Sequence, residues 1–464
     1  MFPTQVYTKR RKALKSKISK GVGFFPGNVD VPFNYSANIY RFRQDSSFLY
    51  FFGIDKPGLS ALIDFESGDE ILFGNEITHD DIIWMGAQPA LADTAQKVGI
   101  QDVRPLYKLD ELLKEYLAEG RQVHYLPPYR GETKISINML LGLAVDDLES
   151  NASEALIKAV VDLRSVKDDY EIKEIEKAVD VAYKMHTTAM QMALEGTKEQ
   201  QIAGVIEGIA LSNGGPVAFP VILSKNGQIL HNHDHSNILK RGDLMVVDAG
   251  AELESNYTSD ITRTTPVGGK FSQRQKEIYE IVLEANMQVI EKSKPGVFYK
   301  DMHLLAANII ASGLTDLGIM KGNPEEAVRQ GAHALFMPHG LGHMMGLDVH
   351  DLEGVSEEYA GYGDELMRSK QFGLAALRLA KELKPGYVLT DEPGIYFIPE
   401  LVKLWKSENR FTDFIDYKKV EDYLDFGGIR IEDDLLITET GNRVLGKPIP
   451  KTVKEIEEIA GTQV

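Results

Sequence analysis

The stretch LMVVDAGAELESNYTSDITRTT, residues 244–265, contains two aspartates whose spacing predicts a β-hairpin with both carboxylates on one face. Asp248 ends an apolar strand, and Asp260 follows twelve residues later, after a turn-rich segment. Because alternate residues of a strand share a face, the hairpin can bring the two carboxylates together on adjacent strands. Two such acids favour a bound cation, although two solvated acids at strand ends would give the same pattern.

A second cluster lies in PHGLGHMMGLDVHD, residues 338–351. It holds three of the chain's 11 histidines, which are His339, His343 and His350. The four-residue step between the first two matches a helical zinc motif, but Gly340 and Gly342 disfavour a helix. We therefore predict a loop that presents imidazoles. At least one of them is expected to bind a metal or transfer a proton, whereas the others could be packed or surface histidines.

Two glutamates complete the set of candidate ligands. Glu392 lies in LTDEPGIYF, where Pro393 and Gly394 turn the chain, and Glu432 lies in GGIRIEDD. Alternation in the second segment predicts that Arg430 and Glu432 share one face of a half-buried strand. A single strand glutamate more often faces solvent, so Glu432 becomes a credible ligand only together with the other candidates.

The composition limits the class of protein. The chain carries 69 acidic and 51 basic side chains, a formal charge of −18, which opposes nucleic-acid binding. It has no cysteine, so a metal would need oxygen and imidazole ligands. The first residues lack the apolar core of a signal peptide, and no segment approaches the ~18 apolar residues of a membrane span. We expect a cytoplasmic protein that binds neither nucleic acid nor membrane.

With 464 residues the chain exceeds the length that one hydrophobic core normally supports, so two domains are predicted. Residues 1–160 alternate short apolar runs with helical patterns and are predicted to be α/β. Residues 161–464 are predicted to be α+β with a curved, mainly antiparallel sheet. Asp168 and Glu171 have capping-box spacing at the start of the first helix of this domain. Its helices are predicted near residues 168–194, 197–213, 273–292 and 299–318.

The order of the five candidates resembles that of a known family. Asp, Asp, His, Glu and Glu in DAG, SDITRT, HGLGH, DEPG and RIED resemble the pita-bread metallopeptidases, and the whole chain resembles their aminopeptidase P and prolidase branch, family M24B. The segments YRFRQDSSFLYFFGI (40–54) and IIWMG (82–86) are similar to the creatinase-like first domain of that branch. The resemblance implies a creatinase-like domain over 1–160 and a pita-bread catalytic domain over 161–464.

The resemblance also implies roles for individual residues. One metal ion would be chelated by Asp248 and Asp260, and a second would be held or bridged by Asp260, His343, Glu392 and Glu432. Histidines of the family that line the substrate site and shuttle protons match His231, His339 and His350, and Arg430 would contact substrate. The segment between the two aspartates is one residue longer than usual, which we interpret as an altered hairpin turn.

The donor set of four carboxylates and one imidazole suits two Mn²⁺ ions, with Co²⁺, Zn²⁺ or Fe²⁺ as substitutes. Two such cations about 4 Å apart can deprotonate a shared water, and the bridging hydroxide can then attack a carbonyl. Glu392 is the candidate to accept the water's proton, with His339 or His350 donating to the developing oxyanion. No nucleophilic side chain is then required.

The resemblance implies short peptides with proline in the second position as substrates. A bond before proline lacks an N–H and has a restricted φ, so it requires a dedicated pocket. Two activities stay open: an Xaa-Pro aminopeptidase and an Xaa-Pro dipeptidase, or prolidase. Arg378 lies fourteen residues before Glu392, where prolidases resemble one another in using an arginine to hold the dipeptide's carboxylate. The alternative for Arg378 is an exposed helix position.

Two other readings of the family are less well supported. A non-catalytic peptide binder of this fold would be expected to have lost several ligands, and all five chemical types are present. A methionine aminopeptidase would not be expected to carry a first domain of about 160 residues. The resemblance further implies a homodimer or a homotetramer.

Overall fold

The computed structural model describes residues 1–462 in two compact units. The first comprises Met1–Arg164 with the short segment Leu352–Ser356, and the second comprises Ser165–Asp351 with the described residues from Glu357 onward. Among the described residues, none of the helices combines the length and the apolar character that crossing a membrane demands.

The first unit contains helices, a five-stranded mixed sheet and a separate two-stranded sheet. Its strands are β1 (Val22–Pro26), β2 (Pro32–Tyr35), β3 (Asn38–Ile39), β4 (Ser60–Asp64), β5 (Glu70–Phe73), β6 (Asp102–Arg104) and β7 (Val123–His124). Its helices are α1 (Thr4–Lys17), α2 (Ser46–Phe52), α3 (His79–Met85), α4 (Leu91–Lys97), α5 (Tyr107–Ala118), α6 (Gly131–Leu141), a 3₁₀ turn (Val145–Asp147) and α7 (Glu154–Ser165). The order of the five-stranded sheet is β6-β5-β4-β1-β7, with parallel pairs at both edges and antiparallel pairs between them. The two-stranded sheet is formed by β2 and β3.

The core of this unit forms where α5 covers the sheet. Leu109 and Leu113 lie one turn apart on α5 and are fully buried against strand residues such as Phe24 and Leu62. Because side chains four residues apart share a helix face, this pair provides the apolar stripe that the sheet needs. The unit is thus an α/β arrangement, as predicted for the amino-terminal part of the chain.

From residue 165 onward the elements are α8 (Asp169–Gln191), α9 (Glu199–Ser212), β8 (Ile222–Ser224), β9 (Leu244–Asp248), β10 (Thr262–Pro266), α10 (Gln273–Lys292), α11 (Tyr299–Asp316), α12 (Pro324–Gln330), a 3₁₀ turn (Ala332–Leu335), α13 (Glu353–Tyr362), β11 (Val388–Asp391), β12 (Gly394–Tyr396), α14 (Pro399–Ser407), α15 (Tyr417–Glu421), β13 (Gly428–Arg430), β14 (Asp433–Ile437), β15 (Asn442–Val444) and α16 (Val453–Ile459). The four predicted helices correspond to α8–α11. At the start of α8, Asp168 accepts from the amide of Glu171, whose side chain accepts from the amide of Asp168, so the predicted capping box is confirmed.

The strands of the second unit pair antiparallel throughout, and the predicted α+β class is confirmed. They form three small sheets, in the orders β10-β9-β8, β11-β14-β15 and β12-β13. The hydroxyl of Thr264 on β10 donates to the carbonyl of Arg430 on β13 and accepts from its amide. A threonine side chain thus links strands of two of these sheets.

Two histidines in the second unit are buried without partners among the described residues. His303 on α11 and His333 in the 3₁₀ turn are fully buried, their ring centroids lie 6.2 Å apart, and no ring nitrogen of either forms a hydrogen bond. Burial lowers the pKa of His303 to about 3 and that of His333 to about 4. Both imidazoles are therefore neutral in the folded chain at pH 7.

This pair predicts acid sensitivity of the fold. An unfolded histidine titrates near pH 6.5, so between that pH and the lowered values the unfolded chain binds more protons, and stability present above about pH 6.5 is lost on acidification. Metal-free wild type and His303→Phe are compared by urea denaturation in the presence of EDTA. Between pH 7 and pH 4.5, the unfolding free energy of wild type should fall by at least about 1 kcal/mol more than that of His303→Phe. The exposed His79→Phe serves as control. Parallel pH curves for wild type and His303→Phe would contradict the prediction.

Candidate metal centre

The β9–β10 hairpin brings the two predicted aspartates together. Asp248 pairs with Thr262 across the hairpin, and Asp260 lies two residues before Thr262, on the same side of its strand. The turn is closed by a hydrogen bond from the amide of Leu253 to the carbonyl of Tyr257, and Asn256 has φ 64°. Asparagine tolerates this left-handed conformation, so the longer segment forms a distinct turn without separating the two acids.

The histidine cluster lies in an irregular segment between the 3₁₀ turn and α13, as predicted. His343 is tied to β11 in both directions, since its amide donates to the hydroxyl of Thr390 and its carbonyl accepts from the amide of Thr390. Its Nδ1 lies 3.0 Å from the carbonyl oxygen of Met344. A carbonyl only accepts, so Nδ1 donates this hydrogen bond and Nε2 is the nitrogen available to a metal ion. Nε2 faces Asp260 Oδ2 at 3.3 Å and Glu392 Oε1 at 3.9 Å.

A buried ion pair anchors the irregular segment that carries the histidines. The ammonium group of Lys167 lies 2.8 Å from Asp351 Oδ2, and both side chains are almost completely buried. The amide of Asp351 donates to the carbonyl of Met344. These bonds connect the two ends of the stretch from His343 to His350 and limit its freedom.

The two glutamates approach from neighbouring strand ends. Glu392 follows β11, and its amide donates to the carbonyl of Leu341. Glu432 lies between β13 and β14; its amide donates to the carbonyl of Thr262, and its Oε2 accepts from the Thr262 hydroxyl at 2.6 Å. Main-chain bonds thus hold both glutamates against the segments that carry the other candidates.

The candidate ligand atoms converge closely enough to hold cations. Three groups each place their ligand atoms within 4.8 Å of one another: Asp248, Asp260 and Glu432; His343, Glu392 and Glu432; and Asp260, His343 and His350. Asp248 Oδ1 is buried and accepts no hydrogen bond from a described residue. Because a buried polar atom without a partner is costly, this oxygen is suited to a metal ion. All five predicted ligands are therefore brought together, and His350 joins them.

The electrostatics of the cluster also favour cations. Burial raises the pKa of Asp260, and repulsion from Asp248 adds to it. Burial and repulsion from Asp260 likewise raise the pKa of Glu432. Several buried carboxylates cannot all ionise without compensation, and divalent ions supply that charge. The oxygen-rich donor set with one or two imidazoles fits such ions.

A second network surrounds Arg430, which is buried beside the cluster. Its Nη2 lies 2.7 Å from Asp248 Oδ2, its Nη1 donates to the Tyr396 hydroxyl at 2.8 Å, and its Nε donates to the Thr262 hydroxyl. The same Tyr396 oxygen lies 3.0 Å from Nε2 of His339. Burial lowers the pKa of His339 to about 4, and the charge of Arg430 adds to this effect. The guanidinium of Arg430, which is predicted to contact substrate, thus holds the side chains of Asp248, Tyr396 and Thr262 in place.

The remaining predicted residues line the cavity above the cluster. Its volume is about 330 Å³, and its walls include His231, His339, His350 and Arg378. His350 stacks on His343, with ring centroids 3.9 Å apart and planes inclined by 21°. Arg378 lies outside the helices and is half-buried, so the exposed helix alternative is wrong. Each residue singled out in the sequence is thus at the cluster or in this cavity.

Sequence reasoning missed several residues of the site. Tyr396, Thr262 and Thr390 bind the candidate ligands or their neighbours, and His233 lines the cavity. Thr262 could have been found, because it stands two residues after Asp260 and alternation places both on one face. Nothing in the local pattern marks Tyr396 or Thr390 as partners of histidines some fifty residues away.

Comparison with known proteins identifies the family. A profile described as metallopeptidase family M24 matches residues 173–439, and one described as the aminopeptidase P N-terminal domain matches residues 7–125. The chain belongs to metallopeptidase family M24. The matched M24 region contains all five predicted ligands, and the match to the aminopeptidase P N-terminal domain falls in the first unit. The predicted family and the two-part fold are therefore confirmed.

Individual relatives agree with this assignment. A probable Xaa-Pro aminopeptidase of Fusarium vanettenii is 35% identical over 421 residues, covering 90% of this chain and 87% of the relative. The human Xaa-Pro dipeptidase is 32% identical over 427 residues, covering 90% and 84%. Among solved structures, Zn-substituted aminopeptidase P of E. coli in complex with product is 29% identical, with a TM-score of 0.80 over 99% of this chain and 98% of that chain. This M24 chain is a metallopeptidase.

Proposed function

We propose that this M24 metallopeptidase is an Xaa-Pro aminopeptidase, which hydrolyses the bond before a proline in the second position of short peptides. The observation that carries the proposal is the cluster of Asp248, Asp260, His343, Glu392 and Glu432 on the wall of one cavity. The relatives named for Xaa-Pro cleavage match nearly the whole chain, including the part that precedes the M24 region.

The cluster would hold two divalent ions. Asp248, Asp260 and Glu432 would bind one, and Asp260, His343, Glu392 and Glu432 the other, consistent with the three groups of converging atoms. When bound, the ions supply Lewis acidity to water and to the substrate carbonyl. We propose Mn²⁺ as the ion in the cell, because four carboxylates make a hard, oxygen-rich site, with Co²⁺, Zn²⁺ or Fe²⁺ as substitutes.

The chain's own residues would orient the reaction. Glu392 is half-buried at the cavity wall, where it can accept the proton of the attacking water. His339 is held by Tyr396 and by the carbonyl of Gly340, so its ring is fixed toward the cavity. His231 and His350 complete the walls and would donate to the substrate carbonyl or to the developing negative charge. Arg430 would keep Asp248 in place.

A second function, Xaa-Pro dipeptidase, is favoured by one residue. Arg378 lines the cavity that holds the candidate ligands, and a guanidinium can bind the free carboxylate of a dipeptide through two parallel hydrogen bonds. In an aminopeptidase the peptide continues past proline, and its carboxylate lies elsewhere. The role of Arg378 therefore decides between the two functions.

The proposal is tested by measuring how fast the Mn²⁺-loaded enzyme cleaves two substrates, a tripeptide and a dipeptide. We expect a Xaa-Pro-Yaa tripeptide to be cleaved efficiently, and cleavage to stop on chelation with EDTA. Arg378→Ala should leave tripeptide turnover close to wild type. A preference for the Xaa-Pro dipeptide that is lost in Arg378→Ala would instead establish the dipeptidase. Arg241→Ala, which removes an exposed arginine, is the matched control. Cleavage that persists in metal-free protein, confirmed by elemental analysis, would refute both functions.

Several further points belong to the same proposal. We propose a cytoplasmic enzyme that acts as a homodimer or homotetramer, with a creatinase-like domain over residues 1–160 and the catalytic domain over 161–464. The profile matches at 7–125 and 173–439 support this division.

A further inference from the structure

Behind the candidate metal centre, two buried aspartates face each other across a pair of strands. Asp391 at the end of β11 pairs with Asp433 at the start of β14. Successive side chains of a strand point to opposite faces, so the neighbours Glu392 and Glu432 reach the cavity while these aspartates point away from it. Two buried carboxyl groups directly opposite on neighbouring strands need hydrogen bonds or a counter-charge, because burying an uncompensated polar group is costly.

The compensation comes from residues distant in sequence. The ammonium group of Lys451 lies 2.6 Å from Asp433 Oδ2 and donates to Asn286 Oδ1 at 2.7 Å. Asn286 in turn donates from Nδ2 to Asp391 Oδ2 at 3.0 Å. Asn286, Asp391 and Asp433 are almost completely buried, and the Lys451 side chain is 17% exposed. One lysine and one amide thus connect the two strands.

An arginine completes the network on the Asp433 side. Arg263 donates from Nη2 to Asp433 Oδ1 and from Nη1 to the carbonyl of Glu432. It also donates to the carbonyls of Ile449 and Pro450, which immediately precede Lys451. On the Asp391 side, Oδ1 accepts no hydrogen bond from a described residue. The link through Lys451 and Asn286 therefore spans the aspartate pair.

We propose that Lys451 is a positioning residue for the metal centre, which acts through Asp433, Asn286 and Asp391 to hold Glu392 and Glu432 at the spacing that a second cation requires. The inference rests on the proposed dinuclear centre. Without the ammonium charge, the buried carboxylate of Asp433 would lose one of its two cationic partners and its link to Asn286 and Asp391. The ends of β11 and β14 would then be held less firmly, and each glutamate would move with its strand. Replacing a residue that holds metal ligands in place through hydrogen bonds typically lowers metal affinity 10- to 100-fold.

The test compares metal-free wild type with Lys451→Met, which keeps the length of the side chain and removes its charge, and with Lys451→Arg. Mn²⁺ affinity is measured by calorimetry, and the geometry of the site by the visible spectrum of the Co²⁺-loaded protein. We expect Lys451→Met to weaken one of the two binding events about 10- to 100-fold, to change the Co²⁺ spectrum and to lower kcat more than it raises KM. Lys451→Arg should restore most of the affinity.

Lys454→Met is the matched control, since this lysine lies three residues away with its side chain 87% exposed, and it should behave as wild type. If Lys451→Met does not fold, Lys451→Gln, which keeps hydrogen bonding without the charge, should show the same loss of affinity. Wild-type affinities and an unchanged Co²⁺ spectrum in a folded Lys451 variant, even with a lower Tm, would overturn the inference. Failure of the wild type itself to bind two ions would instead refute the proposed function.

Discussion

Replacing Asp260 by alanine is expected to abolish turnover and to lower the metal content of the protein. Asp260 belongs to two of the three groups of converging ligand atoms, and its Oδ2 lies 3.3 Å from Nε2 of His343. Its amide also donates to Asp434 Oδ2, which fixes the backbone at this position. Alanine keeps that backbone bond and removes the carboxylate that would bind both proposed ions. Both the charge that attracts the cations and the spacing between them would be lost.

The measurement is metal content by elemental analysis, together with kcat/KM for a Xaa-Pro-Yaa tripeptide. Wild type should bind about two divalent ions per chain. Asp301→Ala, an exposed aspartate on α11, controls for the loss of an acid elsewhere and should leave both values unchanged. An Asp260→Ala variant that keeps two ions and wild-type turnover would show that Asp260 is not a ligand.

Replacing Glu392 by glutamine is expected to lower kcat by about 10² to 10⁴-fold while KM changes little, because an amide cannot accept the proton of the attacking water. Glu392 faces the cavity, and its Oε1 lies 3.9 Å from Nε2 of His343. Burial raises the pKa of its carboxyl group, while the neighbouring His343 and Arg430 oppose this rise. The substitution keeps size and shape, so the folded cavity should be preserved.

Glu392 is proposed both as a ligand and as a proton acceptor, and the metal content separates the two roles. The variant is measured at saturating Mn²⁺, where loss of kcat with both ions bound would reflect the missing proton acceptor. Glu439→Gln, which changes an exposed glutamate, is the matched control. Glu392→Gln with wild-type kcat would exclude this residue as the proton acceptor and direct attention to His339 or His350.

The residues that reach the cluster were recognisable because each stands in a local pattern with a clear physical meaning. Asp248 and Asp260 flank a hairpin, where strand alternation determines the shared face. The glycines around His343 exclude a helix, and the structure has an irregular segment there. Glu432 alternates with Ile431, and it faces the cavity while Ile431 is buried. Such patterns report which face a side chain occupies.

The partners of those residues were not recognisable in the same way. Tyr396 contacts both Arg430 and His339, and Thr390 holds the backbone of His343. Tyr396 and Arg430 lie on the paired strands β12 and β13, whereas the contacts to His339 and His343 join strands to the irregular segment that carries the histidines. Local periodicity contains no information about which strand end will meet another, since that depends on the packing of the whole core. For Arg378, the sequence indicated a possible role, and only the tertiary structure places its side chain at the cavity.

By itself, the sequence determined the fold class, because strand alternation and turn chemistry are local properties. Its resemblance to the pita-bread metallopeptidases indicated the family and the five acidic and imidazole candidates for metal binding, because the order of ligand types can be read along the chain. Only the tertiary structure decided that Arg430 binds Asp248 and that Lys451 reaches Asn286 and Asp433. A buried charge must find its compensation in three dimensions, and its partner can come from any part of the chain. Here that partner lies near the carboxyl end, 165 residues from Asn286 and 18 from Asp433.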